Sequence, residues 1–315
     1  MTLHPGAKWI VEAAADALKM GQTPIEEKTA EQARAFYADS RSALTPDLPD
    51  VGLVENLVIP GPHGEIGARY YRPAGSSADD ILPLCLFYHG GGWVIGDLDS
   101  HEYVCRRMVN SGGFAVISVD YRMAPEHTFP VAVEDAYAAL EWAAAGAGGR
   151  KIDPDHLAVS GDSAGGNLSA VVALMARDQA GPAIRFQGLI YPATDMNMIT
   201  QSHIDFAEGH ILTAKSMVWF QEQYLNSPAD REDWRASPIK HENLKGLPPA
   251  IVITAGHDPL KDEGKAYAER MAGAGVEVTF KCYEGQIHGF VTMAKVIDES
   301  DVAIDQVAEA IAAAI

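Results

Sequence analysis

The chain has 315 residues, 47% of them hydrophobic, with 24 Lys and Arg against 43 Asp and Glu and a formal charge of −19. Affinity for a phosphate backbone needs clustered cations, and the longest basic clusters here are pairs such as Arg106-Arg107, so a nucleic-acid partner is excluded. The apolar content excludes a mainly disordered chain, and no apolar stretch approaches the roughly 20 residues of a spanning helix, so stable membrane insertion is not expected.

Residues 1–45 read as helical. Trp9, Ile10, Ala13, Ala14 and Ala17 fall on one face, and Ala30, Ala33, Phe36 and Tyr37 form a second, before Pro46 and Pro49 break the pattern. Lys8 and Glu12 interrupt the opening stretch, so no signal peptide is expected. Without the cationic face of a membrane binder, a lid or packing role is the expectation. Segments 53–59 and 66–71 then read as an antiparallel strand pair around the turn 61–64. Apolar runs follow at 84–88, 114–119, 157–160, 186–191, 250–254 and 276–283. Helical stretches at 100–109, 131–145, 164–177 and 260–272 alternate with them, and a last helix spans 302–315. Continuous apolar strands followed by helices mean an α/β fold, a mostly parallel sheet covered on both faces.

Residues 195–245 break this alternation and contain no clear strand. With Met196, Met198, Phe206, Met217, Trp219, Phe220 and Tyr224 the segment reads as an insertion above the sheet, either core, as such a stripe more often is, or a lid, the reading favoured because such side chains also suit adaptable apolar pockets. Cys85, Cys105 and Cys282 each lie in an apolar run and lack metal-ligand spacing. Buried reduced thiols are expected, and with them a cytoplasmic setting and no metal site.

Two motifs carry chemistry. Gly161-Asp162-Ser163-Ala164-Gly165 follows the run 157–160 and opens the helix 164–177. A serine at such a strand-to-helix turn is held in a strained conformation that exposes its hydroxyl, and its neighbours must be small because the chain doubles back. His89-Gly90-Gly91-Gly92-Trp93 follows the run 84–88. Consecutive glycines let main-chain amides approach a developing oxyanion that side chains would block. A phosphate loop is excluded, since neither G-x-G-x-x-G nor G-x-x-x-x-G-K-[ST] occurs. A nucleophilic serine needs a base, and the base an orienting carboxylate. His288 follows the strand 276–283 and Asp258 follows 250–254. Both fall at the carboxyl ends of parallel strands, the edge that also carries Ser163, and the chain order Ser, Asp, His is that of this serine turn. His257, next to Asp258, is set aside because successive side chains diverge.

With Asp120-Tyr121-Arg122-Met123-Ala124-Pro125-Glu126-His127, Asp258-Pro259-Leu260-Lys261-Asp262-Glu263-Gly264 and Ile287-His288-Gly289-Phe290, these motifs resemble the hormone-sensitive-lipase-like esterases, bacterial family IV of the α/β-hydrolases, in the subgroup with a GDSAG pentad. The resemblance runs from about Val51 to the C-terminus. Met123 stands where Leu is commoner, and His257 where an aromatic residue is frequent.

The resemblance implies an α/β-hydrolase fold with a helical cap. The cap would comprise residues 1–45 and the insertion 195–245, and the catalytic domain residues 46–194 and 246–315. It implies Ser163 as nucleophile, Asp258 as acid and His288 as base, with the amides of Gly91, Gly92 and Ala164 as oxyanion donors. No cofactor or metal is implied. Glu126 and His127 are expected to tie loops beneath the site. The substrate would be a small ester with a short or medium acyl chain, narrowed by Trp93, Phe206, Met217, Trp219 and Phe220. Amide, lactone or carbamate hydrolysis is the alternative, and a non-catalytic small-molecule receptor a more distant one, because receptors on this scaffold resemble enzymes that lost the histidine. Two copies would pair through the edge strand near 276–283.

Overall fold

The computed structural model describes residues 2–315. Strands β1 (Leu53–Gly61) and β2 (Gly64–Arg72) form the antiparallel hairpin, closed by Gly61 opposite Gly64. They are followed by β3 (Leu82–Tyr88), β4 (Ala115–Asp120), β5 (Ile152–Asp162), β6 (Ile184–Ile190), β7 (Ala250–His257) and β8 (Val278–Ile287). All eight join one sheet in the order β1-β2-β4-β3-β5-β6-β7-β8. β2 pairs antiparallel with β4, and from β4 to β8 every pairing is parallel.

Parallel strands connected through helices bury both faces, and β3 shows the consequence of the two-residue side-chain period. Leu84, Leu86 and Tyr88 enter one hydrophobic cluster, and Cys85 and Phe87 enter the cluster on the opposite face. The helices are α1 (Pro5–Lys19), α2 (Ala30–Leu44), α3 (Glu102–Gly112), α4 (Val131–Ala144), α5 (Ala164–Asp178), α6 (Gln201–Asp205), α7 (Ala214–Tyr224), α8 (Lys261–Gly273) and α9 (Glu299–Ala312). Helices α3 and α9 supply the core of one face, through residues such as Val104, Met108, Ile304 and Val307. Helices α4, α5 and α8 supply the other, through Leu140, Val171, Leu174 and Tyr267. None of the described helices is long and apolar enough to cross a membrane.

Several boundaries move, for local reasons. Of the expected helical stretch 1–45, the described residues 2–45 hold two helices, α1 and α2. Gly21 (φ +93) and Pro24 interrupt them, and Thr29 restarts the chain with a capping box to Gln32. On α2, Ala33 is buried while Phe36 is partly exposed at the cavity. Strand β8 continues to Ile287 through Glu284-Gly285-Gln286, whose polarity concealed it. Helix α9 starts at Glu299, where the Asp298 side chain accepts the first amide, and stops at Ala312. Cys85 and Cys105 are buried, but Cys282 is only partly so because it lies on the edge strand β8.

The segment 195–245 holds α6, α7 and two short 3-10 turns, Pro228–Glu232 and Pro238–Lys240, and no strand. Together with α1 and α2 it faces a cavity at the carboxyl edge of the sheet.

Candidate active site

Ser163 stands between β5 and α5 at φ +54 and ψ −115, a region that a β-carbon makes costly. Close packing maintains it. A Cβ on Gly161 would lie 2.5 Å from the Gly165 carbonyl carbon, so only glycine lets the chain fold back there. The main chain of Ser163 is tied on both sides: its N–H donates to Ile190 O at 2.8 Å, and its carbonyl accepts from Asn167 N at 3.0 Å and Ala193 N at 3.2 Å. The strain is thus spread over β5, β6 and α5.

His288 follows directly after β8, and Asp258 follows β7. The Asp258 carboxylate, fully buried, accepts from Leu260 N at 2.9 Å through Oδ1 and from His288 Nδ1 at 2.7 Å through Oδ2. That bond leaves Nε2 as the acceptor nitrogen, 2.9 Å from Ser163 Oγ. The imidazole also packs on Tyr191, ring centroids 4.8 Å apart. Three side chains from three strand ends therefore form one unbroken hydrogen-bond chain. His257 makes no bond to either partner. Its Nε2 is unpaired, and its ring lies 5.6 Å from that of Phe206.

Gly91 (φ +121) and Gly92 (φ +58) turn the loop after β3 towards the same edge. Among the described residues their amides donate to nothing else in the chain. Ala164 is the first residue of α5, where helical amides lack an internal acceptor. A Cβ on Gly92 would come within 2.8 Å of Phe220 Cε1, so the loop is pressed against α7.

Sequence reasoning left Asp162 without a role. Its buried carboxylate accepts from Gly90 N at 2.8 Å and lies 3.2 Å from His101 Nε2, without good hydrogen-bond alignment. Burial would raise its pKa, but His101 and the Gly90 amide outweigh burial and hold it below the ordinary carboxylate range. The neighbouring His89 is driven down to about 4 by burial and then by His101. Its Nδ1 lies 2.8 Å from Gly90 O, and its ring stacks on Tyr121 at 4.4 Å. Glu126 bonds Arg34 of α2, whose guanidinium also donates to Val94 O and Ala124 O at 2.8 Å each.

Ser163 and His288 border a cavity of about 520 Å³. Of the pocket residues expected from the sequence, Trp93, Met217 and Phe220 line it, and Phe206 and Trp219 do not. The helical period explains the difference on α7. Ser216, Met217, Phe220 and Gln221 share the face turned to the cavity, while Trp219 sits outside that stripe, edge-on to Phe220 in the core. Phe206 lies beyond α6, against His210 and His257 with Lys261 over its ring. The face of α1 recognised from Trp9, Ile10, Ala13, Ala14 and Ala17 does line the cavity. On α2, Phe36 and Tyr37 of the face read from the sequence also line it, whereas Ser40, Arg41 and Leu44 were missed, because mixed polarity hides the i, i+3, i+4, i+7 spacing that joins them to Tyr37. Among the described residues no group of three or more His, Cys, Asp or Glu could hold a metal ion.

A serine, histidine and carboxylate chained at the carboxyl edge of an α/β sheet, beside unpaired main-chain amides, define a hydrolase-type site. The chain belongs to the alpha/beta hydrolase fold family, whose model matches residues 85–292, in its hormone-sensitive-lipase-like branch. It is 48% identical over 246 residues to carboxylic ester hydrolase LipN of Mycobacterium tuberculosis, a match covering 76% of this chain and 65% of LipN. It is 35% identical over 304 residues to an ethyl acetate hydrolase of Pseudomonas putida, covering 96% of this chain and 95% of that one. Among solved structures, an ester-hydrolase from the metagenome of Lake Arreo, complexed with a derivative of bipyridine phosphonate, superposes with a TM-score of 0.96 at 39% identity, over 99% of both chains.

Proposed function

We propose that the chain is a serine carboxylesterase that hydrolyses short- to medium-chain acyl esters through an acyl-enzyme. The observation that carries this reading is the continuous hydrogen-bond chain Asp258–His288–Ser163 beside the free amides of Gly91 and Gly92. In this reading Ser163 Oγ attacks the ester carbonyl while His288 Nε2 takes its proton. Asp258 fixes the tautomer and stabilises the imidazolium, and the amides of Gly91, Gly92 and Ala164 hold the tetrahedral oxyanion. His288 then protonates the departing alcohol, and water enters by the same route to release the acid.

Residues 1–45 and 195–245 act as the cap, over a catalytic domain made of 46–194 and 246–315. The names of the ester-hydrolase relatives support the reaction class, and the ethyl acetate hydrolase supports a small acyl group. The free thiols of Cys85, Cys105 and Cys282 suit a cytoplasmic setting. Strand β8, with Thr279, Phe280 and Lys281 exposed at the sheet edge, would pair with its twin in a homodimer, which gel filtration tests.

The decisive experiment is a graded 4-nitrophenyl ester series with the Ser163→Ala protein as blank. Butyrate should be cleaved well above palmitate, and the reverse order defeats the chain-length assignment. Ser163→Ala should lose several orders of magnitude in turnover, and adding His288→Ala should cost little more because the triad acts as a unit. Full additivity of the two losses, or no phosphonate adduct on Ser163 by mass spectrometry, would overturn the mechanism.

A further inference from the structure

We propose that Arg41 is a carboxylate-binding residue of the cavity, so that the preferred esters carry one acidic group remote from the scissile carbonyl. This rests on the esterase reading above and narrows its substrate class. Arg41 occupies the last turn of α2, is 7% exposed, and lines the cavity that contains Ser163 and His288. Its Nη1 donates to Thr292 Oγ1 at 2.7 Å, and that hydroxyl donates onward to Gly289 O at 2.9 Å. Its Nε is buried without any acceptor. Among the described residues no carboxylate comes within ion-pair distance of it.

Arg150 and Arg231 also leave a buried Nε without an acceptor, but neither lines the cavity, and other arginines fill their forks. Arg72, 6% exposed, fills its fork with Tyr70 Oη at 3.1 Å, Ser77 O at 2.6 Å, Asp80 O at 3.0 Å and Ser76 Oγ at 3.4 Å. Arg34 is filled by two carbonyls and Glu126, and Arg122 by Asp135 and Glu65 O. Arg72 also lacks a carboxylate, but neutral acceptors fill its fork, whereas Arg41 has Thr292 Oγ1 alone. A buried cation with unfilled donors costs free energy, and a charged guanidinium donor at the cavity suits a carboxylate oxygen.

The surroundings agree. Arg41 is the one Lys or Arg among the described residues lining a largely apolar cavity. Of the acids that line the cavity, Asp162 is engaged by the Gly90 amide and Glu263 by the amides of Thr194 and Asp195, while Glu26 and Asp195 are only half-buried. Tyr37 lies against Arg41, the guanidinium 5.0 Å from the ring centroid. Burial keeps its phenol protonated, with a pKa pushed up to about 12, so it remains a hydrogen-bond donor at neutral pH.

The test uses matched substrate pairs, one for each place the acid can reside. For the acyl side, mono-4-nitrophenyl glutarate is compared with its neutral methyl ester. For the alcohol side, 4-carboxyphenyl butyrate is compared with 4-(methoxycarbonyl)phenyl butyrate. Ser163→Ala protein supplies the blank, because glutarate monoesters also cleave through their own carboxylate.

Arg41→Met should lower the anionic-to-neutral ratio of kcat/KM by at least about ten-fold in one pair, chiefly through KM, and Arg41→Lys should retain part of the preference. The ratio is internal to each protein, so partial destabilisation does not mask it. Ratios unchanged in both pairs overturn the proposal. A readout on wild-type protein alone accompanies it: benzoate should inhibit 4-nitrophenyl butyrate hydrolysis competitively at least about ten-fold more tightly than benzamide, and equal inhibition overturns the proposal. If wild-type protein cleaves the neutral esters without any preference that depends on Arg41, this inference alone fails. If it cleaves none of the four, the esterase reading fails and takes this one with it.

Discussion

Gly165 is the second residue of α5, where alanine ordinarily favours a helix over glycine by about 1 kcal/mol. Here the sign should reverse. A Cβ at Gly165 would sit 2.5 Å from the Tyr88 carbonyl carbon and 2.8 Å from His89 O, and would overlap the Tyr88 carbonyl oxygen. Carbon atoms rest at about 3.5 Å, so α5 and the end of β3 must separate by about 1 Å. Nothing flexible can absorb that movement. Tyr88 lies at the C-terminal end of β3 between β4 and β5, and His89 opens the glycine loop. Overpacking of this kind costs ~1–3 kcal/mol.

The displacement also moves Ser163 relative to Gly91 and Gly92, and a misplacement of about 1 Å costs on the order of 10²-fold in rate. Gly165→Ala should therefore lower the urea midpoint and reduce kcat/KM on 4-nitrophenyl butyrate together. Gly273→Ala, at the end of α8 where a Cβ meets nothing within 4 Å, is the control. It should leave the rate unchanged and hold or raise stability by up to ~1 kcal/mol. A Gly165→Ala protein as stable as wild type and within about three-fold of its activity would refute the close-packed serine turn.

Because His89 is held near 4 by burial and His101, against an ordinary value of ~6.5, the unfolded chain takes up this proton first as pH falls. The stability it contributes is complete above about 6.5 and is lost as pH drops towards 4, by roughly 3 kcal/mol. Urea midpoints between pH 4 and 7 should change less steeply in His89→Asn, and parallel slopes would contradict the assignment. Arg34→Met removes the clamp from α2 to Val94 O, Ala124 O and Glu126. The exposed Glu126 pair contributes little, but loss of the charged bonds to the carbonyls should cost ~1–3 kcal/mol and speed amide exchange across residues 30–44; unchanged exchange would show that the clamp is idle. Phe220→Ala opens the cavity wall and should raise the decanoate-to-butyrate ratio at least about three-fold. Phe206→Ala, outside the cavity, should leave that ratio alone, and equal shifts in both would disprove the assignment of the wall.

How much of this was legible in the sequence depended on whether backbone or side chains carry the constraint. The parallel sheet could be read because an apolar run such as 250–254 has only one way to bury both faces. The meeting of Ser163, Asp258 and His288 could be read because a serine between Gly161 and Gly165 and acidic and histidine positions just past strand ends follow from topology. Chain polarity misled the reading where a strand leaves the core, as at Glu284-Gly285-Gln286, which hid the last four residues of β8, up to Ile287 directly before His288. Asp162 escaped for a different reason. Inside the pentad it reads as a spacer, and only the fold brings the Gly90 amide and His101, 61 residues away along the chain, to its carboxylate.

The cavity wall marks where sequence patterns stop deciding. A glycine beside Ser163 is demanded by atoms that would otherwise collide, so one residue type satisfies the position. A wall position on α7 accepts many side chains, and whether an aromatic faces substrate or core turns on a rotation of 100° per residue. Phe220 and Trp219 are adjacent and chemically alike, yet the first borders the cavity and the second fills the core beneath it. Arg41 is the extreme case. On paper it is one polar residue near the end of an amphipathic helix, where a solvated cation is the ordinary expectation. Only the packing of α2 against Thr292 turns it inward, and only a full account of acceptors around each buried arginine separates it from Arg72. The cavity wall is therefore set by helix orientation and by unfilled hydrogen-bond capacity, whereas the serine turn is set by backbone shape.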